Sequence, residues 1–337
     1  TNQYFHFPAM KIRPKRELIY ELLYEAVQKR TIGDRPIGCL LSGGFDSSII
    51  ASLLIKCGIK NLHTFSIGMK GSSDLENAQK VADFLGTQHH SIEVSQHTFL
   101  NAIPEVIYQI ESFDTTTVRA STGMYLISKY ISENTDIKII FSGEGADELF
   151  MGYKYFHNAP SEWEAQQESE RITKDLPFFD VLRSDRSTAA FGLEIRVPFL
   201  DKAFATYALS IQPIYKLPSH KIEKHLLRQS FDFCLLPHEI LWRSKEAFSD
   251  GVSSSENSWH KQIQNNIEHL FNETDLENTT YPIKPPTKEA LYYREIYDSH
   301  FTSELIPYYW LPKWCGNVND PSARELSCYS SVAAGEG

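Results

Sequence analysis

The stretch "LLSGGFDSSII", residues 40–50, decides how the rest of the chain is interpreted. Two adjacent glycines, three serines and an aspartate stand between an apolar run that ends at Leu41 and another that begins at Ile49. Glycines before a helix leave free backbone N–H groups that can surround an anion, and hydroxyl donors add to them. An ordinary strand-to-helix turn, capped by Ser42 or Asp46, would use the same residues. This stretch alone leaves both interpretations open.

The spacing excludes two common phosphate-binding motifs. The P-loop needs a lysine after its last glycine, and residues 38–48 contain none. The dinucleotide motif G-x-G-x-x-G needs separated glycines, whereas Gly43 and Gly44 are adjacent. Asp46 would repel a phosphate unless a cation lay between them, and Mg²⁺ binds carboxylates and phosphate oxygens together. The stretch therefore favours an anion site that also holds magnesium.

Short apolar runs alternate with helical patterns between residues 37 and 150. Strands are predicted at 37–41, 62–68, 89–94 and 137–141, with amphipathic helices before and between them. This alternation is typical of an α/β fold, a doubly wound and mainly parallel sheet with helices on both faces. A mostly helical, aromatic-rich region follows from about residue 161. In such sheets ligands bind beyond the carboxyl ends of the strands.

A second loop, "IIFSGEGADELF" at 139–150, repeats the plan of the first. An apolar strand runs into Ser-Gly and a glycine-rich turn, and Asp147 and Glu148 stand where a new helix starts. Both loops follow strands of one parallel sheet, so they are expected at the same edge. Asp46 and Asp147 are therefore predicted to share a magnesium ion over a pyrophosphate group.

A third segment, "LWRSKEAFSDGV" at 241–252, places Arg243 and Lys245 beside small residues. These residues suit a loop that closes on an anion. A solvated run of charges explains the segment equally well when it is considered alone.

Composition excludes several classes of protein. The 337 residues carry a formal net charge of -10, which argues against a general nucleic-acid binder with a basic face. No apolar run approaches the roughly 18 residues of a membrane helix. The five cysteines form no C-x-x-C pair, so a disulfide scaffold is not expected and a reducing, cytoplasmic setting is favoured.

Five segments together resemble one known family: "LLSGGFDSS", "TTVRAS", "SGEGADE", "EIRVPFLD" and "WRSKEAFSDG". In this combination they are similar to the synthetase domain of the glutamine-hydrolysing asparagine synthetases. That domain belongs to the ATP pyrophosphatases, or PP-loop superfamily, with an adenine-nucleotide α-hydrolase-like fold. The likeness covers residues 16–330. The S-G-G-x-D-S turn alone marks only the superfamily.

The resemblance implies a ligase that uses ATP and Mg²⁺. The side-chain carboxylate of aspartate would attack the α-phosphate of ATP, giving β-aspartyl-AMP and pyrophosphate. Ammonia would then attack the activated carbonyl and release asparagine and AMP. Aspartate and ammonia are the expected partners, with no nucleic acid and no membrane, and a homodimer is possible for the family.

The resemblance also assigns residues to roles. It assigns the adenosine part of ATP to Leu41, Ile67, Ser142 and Gly143. It assigns pyrophosphate and magnesium to Ser42, Gly43, Gly44, Asp46, Ser47 and Ser48, with Asp147 as the second metal carboxylate. Glu144 would serve formation of the acyl-adenylate, and Lys245 would stabilise charge on the phosphate. Aspartate would be bound by Thr116, Thr117 and Arg119.

Domain organisation follows from the extent of the likeness. Residues 1–15 are expected to be a tail or linker, and 16–330 a synthetase domain with an α/β core at about 35–160 and a helical part at about 161–330. Residues 331–337 are expected to be a flexible tail. The glutaminase domain that begins full-length members has no counterpart in this sequence. Ammonia is therefore expected from solution, or from glutamine through a glutaminase domain or partner.

Two departures and two alternatives accompany the resemblance. Phe45 replaces the more usual leucine of the turn, and Ala146 stands where serine is common, and neither change alters a charged group.

A related pyrophosphatase acting on another carboxylate, such as a β-lactam synthetase, would share most of these motifs. A non-catalytic ATP-binding subunit should have lost Asp46, Asp147 or Lys245, and all three are present.

Overall fold

The computed structural model describes residues 7–8, 11–303 and 306–325. The predicted tail at 331–337 lies outside these residues. The predicted domain boundaries at residues 16 and 330 stay a prediction, although the first helix does begin at Arg16.

A five-stranded sheet forms the centre of the fold, and all four of its strand pairings are parallel. The strand order is β3-β2-β1-β4-β5. The strands are β1 Ile37–Leu40, β2 His63–Gly68, β3 Gln88–Glu93, β4 Ile139–Phe141 and β5 Glu194–Arg196. The predicted parallel α/β fold is thus confirmed, and β5 is an additional edge strand that the sequence patterns did not indicate.

Helices surround the sheet and fill the second half of the chain. The first nine are α1 Arg16–Gln28, α2 Phe45–Lys56, α3 Ser73–Leu85, α4 Gln96–Ile110, α5 Thr115–Asn134, α6 Ala146–Leu149, α7 Glu162–Asp175, α8 Asp180–Ala189 and α9 Lys202–Ser210. They are followed by α10 His225–Gln229, α11 His238–Leu241, α12 Phe248–Gly251, α13 Trp259–Ile267, α14 Glu273–Glu277 and α15 Lys288–Asp298. Short 3₁₀ turns occupy Lys154–Asn158, Leu176–Phe178, Pro198–Leu200, Pro213–Tyr215 and Ala323–Glu325.

Alternation along the strands builds a separate core on each face of the sheet. Ile139 and Phe141 of β4 pack into one core with helices α1, α2, α3 and α9. Ile140, between them, packs into the other core with α4, α5, α13 and α15. Successive side chains of a strand point to opposite faces, so a short strand that is apolar throughout must be covered on both sides. The predicted two-sided covering is therefore confirmed.

The order of the strands places the two glycine-rich loops together. The chain moves outward from β1 to β2 and β3, and then returns to add β4 on the opposite side of β1. Cys39 of β1 pairs with Phe141 of β4, so the loops that follow these strands start side by side. Such a change of direction creates a crevice at the carboxyl ends of the strands.

Two local predictions need correction. Ser73 and Glu76 have the spacing of a capping box, which predicts Ser73 as the cap of α3. The side chain that caps this helix is instead Ser72, whose hydroxyl accepts from the N–H of Leu75. Ser73 instead donates a hydrogen bond to Glu246, 2.6 Å away. The polar composition of 272–289, with three prolines, predicts a surface loop, but this segment contains α14 and the start of α15. A polar segment can form a short helix when tertiary contacts support it, which local patterns do not reveal.

Among the residues that the structure describes, no helix combines the length and the apolar character needed to cross a membrane.

Gly43 is expected to be required by the fold for two reasons. Its φ of +70° is unfavourable for L-residues, and an added Cβ would collide with the backbone of α3 at Asn77 and Ala78. Gly58, with a φ of +87°, has open space around the same position. We expect Gly58→Ala to cost about 1–2 kcal/mol of unfolding free energy from backbone conformation alone, and Gly43→Ala to cost clearly more. Equal losses in urea unfolding would contradict the close packing of the first loop on α3.

Candidate functional site

A cavity lies at the carboxyl ends of β1 and β4 and is lined by all three segments singled out in the sequence. The predicted residues that line it are Leu41, Ser42, Gly44, Asp46, Ser47, Ile67, Thr116, Thr117, Ser142, Gly143, Glu144, Asp147 and Lys245. The structure therefore brings together residues that are far apart in the chain. Gly43, Ser48 and Arg119 are not among the lining residues.

The first loop presents a helix N-terminus and two hydroxyl groups to this cavity. Gly44 is the N-cap residue of α2, and no side chain caps the helix there. The hydroxyls of Ser42 and Ser47 lie 3.1 Å apart, and Ser47 accepts from the N–H of Ser42. Free N–H groups and hydroxyls at the start of a helix form a favourable position for an anion. The anion-binding interpretation of the quoted stretch thus has a geometric basis.

Gly143 joins the second loop to the first. A Cβ at this position would lie 2.9 Å from both the backbone and the Cβ of Asp46 and 2.9 Å from the N of Ser47. Any side chain here would separate the two loops. Gly43 and Ser48 have other positions: Gly43 packs on α3, and the Ser48 side chain is fully buried, with no hydrogen-bond partner for its hydroxyl among the described residues.

The two predicted metal carboxylates meet around a lysine that the sequence analysis missed. The Nζ of Lys224 lies 2.6 Å from Oδ2 of Asp46 and 2.5 Å from Oδ1 of Asp147. The Lys224 side chain is 1% exposed. No motif surrounds this residue, which precedes α10 and is 178 positions away from Asp46. Only the folded chain reveals it.

Lys245 adds a second positive charge beside Asp147. Its ammonium group donates to Oδ2 of Asp147, on the opposite oxygen from Lys224. Burial acts to raise the pKa of Asp147, but Lys224 and Lys245 outweigh it and hold that pKa well below its usual range. Burial likewise acts to lower the pKa of Lys245, and the charges of Asp147 and Asp46 raise it instead. The Asp147 and Lys245 side chains therefore stay charged across the physiological range of pH.

These carboxylates fit a magnesium ion that also binds phosphate. Oδ1 of Asp46 is buried and accepts no hydrogen bond from the described residues, so it is available to a cation. Within the described part of the chain, no group of three or more His, Cys, Asp and Glu side chains could hold a metal. Mg²⁺ is commonly held by one or two carboxylates with the remaining ligands from phosphate and water. The carboxylates of Asp46 and Asp147 provide ligands of this kind.

Acidic side chains near Arg183 form an acidic wall of the cavity, and the pKa values of two of them are raised. Arg183 donates to Glu144 at 2.9 Å and to Asp180 at 2.6 Å. Burial raises the pKa of Glu144, with Asp180 adding to the effect and Arg183 opposing it. Burial also raises the pKa of Glu148 well above its usual value, and the Tyr153 hydroxyl donates to this group at 2.5 Å. Among these residues only Glu144 was predicted.

Thr116 and Thr117 lie in the first turn of α5, beside the cavity. Asp114 caps this helix: its Oδ2 accepts from the N–H of Thr117 at 2.9 Å and from the Thr117 hydroxyl at 2.8 Å. The hydroxyl of Thr116 is buried with no partner among the described residues. The start of a 20-residue helix and a free hydroxyl donor suit a small carboxylate ligand.

Arg119 is not among the residues that line the cavity, and its role in binding aspartate stays a prediction. Its guanidinium forms a bidentate pair with Glu289, at 2.7 and 2.6 Å, and a second pair with Asp320, at 2.8 and 2.7 Å. The side chain is 3% exposed. All three guanidinium nitrogens therefore donate hydrogen bonds, which join α5 to α15 and to the segment around Asp320. In this geometry Arg119 joins distant segments of the fold, and a direct contact with aspartate stays a prediction.

Replacement of Arg119 distinguishes a role in stability from a role in binding aspartate. Arg119→Met should destabilise the fold by about 3–5 kcal/mol, because Glu289 and Asp320 are left as buried, unpaired charges. Thr116→Val is the matched control: it removes an unpartnered hydroxyl at the cavity, so it should weaken aspartate binding with little change in stability. Urea unfolding and aspartate titration measure the two effects. A stable Arg119→Met protein that has lost only aspartate affinity would instead support the role in binding.

Comparison with known proteins agrees with this geometry. The family model "Asparagine synthase" matches residues 18–177 and 164–310. Relatives named asparagine synthetase [glutamine-hydrolyzing] are 50% identical in Mus musculus and in Homo sapiens, each over 97% of this chain and 60% of the relative. The relative of that name in Gallus gallus is 52% identical over 92% of this chain and 57% of its own length.

The chain thus spans about 60% of the length of the mouse and human relatives. Among solved structures, an NMN synthetase from Francisella tularensis is similar with a TM-score of 0.39 and 13% identity, over 87% of this chain and 99% of that one. Since the family model matches most of the 337 residues, the chain belongs to the asparagine synthase family.

Proposed function

We propose that this chain catalyses the ATP-dependent amidation of aspartate to asparagine, with AMP and pyrophosphate as the other products. The observation that carries the proposal is the meeting of Asp46 and Asp147 on the ammonium group of Lys224, beside the open N-terminus of α2. Family membership adds support, since relatives 50% identical bear the name asparagine synthetase. The reaction would pass through β-aspartyl-AMP.

The first loop is proposed to hold the phosphates of ATP. The α2 N-terminus supplies backbone N–H donors, and Ser42 and Ser47 supply hydroxyls. Leu41 and Ile67, at the ends of β1 and β2, form an apolar base for the adenine ring. Ser142 and Gly143 would border the ribose from the second loop.

Magnesium, held by Asp46 and Asp147, would neutralise the phosphate charge that otherwise repels an incoming carboxylate. Lys245 is proposed to act at the same place from the third segment. As a compact charge on a flexible stem, it can leave Asp147 and meet charge that develops on the α-phosphate. Arg243, which pairs with Glu246 at 3.0 Å, would help to fix this segment.

Aspartate is proposed to lie between the start of α5 and the acidic wall. Thr116 would donate to a carboxylate of the substrate, and the N-terminus of α5 adds favourable potential. Glu144 would face the carbonyl carbon of the acyl-adenylate. Its raised pKa suits a group that accepts the proton that the amine loses when the amide forms.

Ammonia is the proposed nitrogen donor for this chain, and supply from glutamine would involve a glutaminase domain or partner. The described cysteines are free thiols, which accords with a cytoplasmic location. A homodimer remains a proposal drawn from the family alone. A β-lactam synthetase-like activity on another carboxylate is the alternative, and the choice of acid substrate in the assay below distinguishes it.

Incubation with ATP, Mg²⁺, aspartate and ammonium tests the proposal. We expect pyrophosphate and asparagine in equal amounts, and we expect Asp46→Asn and Asp147→Asn each to abolish both while the circular dichroism spectrum is retained. Asp136→Asn, the same change at an exposed position, should have no effect. Near-normal turnover in either cavity variant would refute the shared magnesium site, and pyrophosphate release only with another acid would favour the alternative.

Lys245 should affect the rate more than the affinity for ATP. If it meets charge that develops in the transition state, Lys245→Ala should lower kcat by about 10²–10³ with a modest change in KM. Lys245→Arg should rescue poorly, since a planar guanidinium does not act as a point charge. An unchanged kcat with a raised KM would instead identify Lys245 as a residue that binds ground state and transition state equally.

A further inference from the structure

We propose that Lys224 is a built-in counter-cation, which holds Asp46 and Asp147 in place and must leave the position between them when magnesium binds. The proposal rests on the magnesium role assigned to the two carboxylates above. It adds a residue that no sequence motif indicated, and it makes the occupation of this position by metal and by ammonium mutually exclusive.

The contacts of Lys224 define the position. Its Nζ lies 2.6 Å from Asp46 and 2.5 Å from Asp147, so one ammonium group joins the loops that follow β1 and β4. Two ionised carboxylates at such a separation would repel each other without a cation. Lys224 supplies that cation from the chain itself, in a setting where its side chain is 1% exposed.

A metal that bridged the same oxygens would need the same space. Mg²⁺ binds oxygen at about 2.1 Å. A magnesium ion on Oδ2 of Asp46 and Oδ1 of Asp147 would therefore lie within contact distance of the present Nζ, and the two positive charges would repel. Metal uptake on these two oxygens must displace the ammonium group. The unpartnered Oδ1 of Asp46 then offers a further ligand.

The surroundings direct the lysine stem towards this position. Lys224 has a left-handed backbone conformation, with a φ of +57°, at the N-cap of α10. A Cβ added to Gly152 would lie 2.9 Å from Cδ of Lys224 and would collide with Oδ1 of Asp147. Gly152 thus leaves room for both partners of the pair. Neighbouring Glu223 is fixed by His157 at 2.9 Å.

Competition between magnesium and the ammonium group of Lys224 affects how the metal binds. Bare magnesium must displace an ammonium group that already pairs with both carboxylates, so it should bind weakly by itself. Phosphate oxygens would supply further metal ligands and would also accept the displaced ammonium. Metal and nucleotide should therefore bind together, and the site should discriminate against magnesium alone.

Metal titration without nucleotide tests the proposal. Mn²⁺ binding is measured by electron paramagnetic resonance and Mg²⁺ binding by calorimetry, on the unmodified chain and on Lys224→Met. We expect Lys224→Met to bind Mn²⁺ at least ten-fold more tightly. Lys245→Met is the matched control. It removes an ammonium group that contacts only Oδ2 of Asp147, so its gain in Mn²⁺ affinity should be smaller. Equal or weaker binding in Lys224→Met overturns the proposal.

The melting temperature tests the proposal even if Lys224→Met is less stable than the unmodified chain. Without a cation, Lys224→Met should melt at a lower temperature than the unmodified chain, and Mg²⁺ should restore it more than NaCl of equal ionic strength does. Failure of Mg²⁺ to restore it would also overturn the proposal. Adding Asp46→Asn to Lys224→Met should remove the gain in Mn²⁺ affinity. These measurements need no turnover, so a failure of the proposed amidation would leave them interpretable.

Discussion

Two carboxylates held together at the ends of adjacent parallel strands are the constraint on which the site depends. Asp46 and Asp147 belong to different loops, and both carboxylates lie within hydrogen-bond distance of one ammonium group. Two like charges this close to the same atom require a cation between them. Lys224 and Lys245 supply positive charge from the second half of the chain. The helical region is therefore part of the site, because without it the carboxyl ends of β1 and β4 would present unbalanced negative charge.

The sheet makes this meeting possible. Reversal of strand order at β1 puts the two loops side by side, and the absence of a side chain at Gly143 lets them touch. The separate cores on the two faces fix β1 and β4 rigidly, so the positions of the loops are set by packing rather than by the loops themselves. The start of α2 then opens into the cavity beside the carboxylates, where an anion and its counter-cation can both be bound.

Neighbouring charges give the carboxylates of one cavity opposite properties. Asp147 stays ionised because two ammonium groups outweigh the effect of burial on its pKa. For Glu144 and Glu148 burial prevails, and their pKa values are raised. One cavity thus combines a carboxylate that ammonium groups keep ionised with carboxyl groups whose pKa values are raised, which supports the proposed activation of a carboxylate and formation of an amide. Arg119 lies outside the lining of this cavity and pairs with Glu289 and Asp320.

The sequence by itself determined the parallel α/β fold, both glycine-rich loops, and the acidic and basic residues of those loops, since strand periodicity and turn chemistry are local properties. Asp46, Asp147 and Lys245 all belong to such patterns. The tertiary structure alone decided that Lys224 lies between the two carboxylates and that Arg119 is committed to Glu289, 170 positions away. Both outcomes depend on which distant segments pack together in the fold, and a buried charge takes the partner that this packing brings within reach.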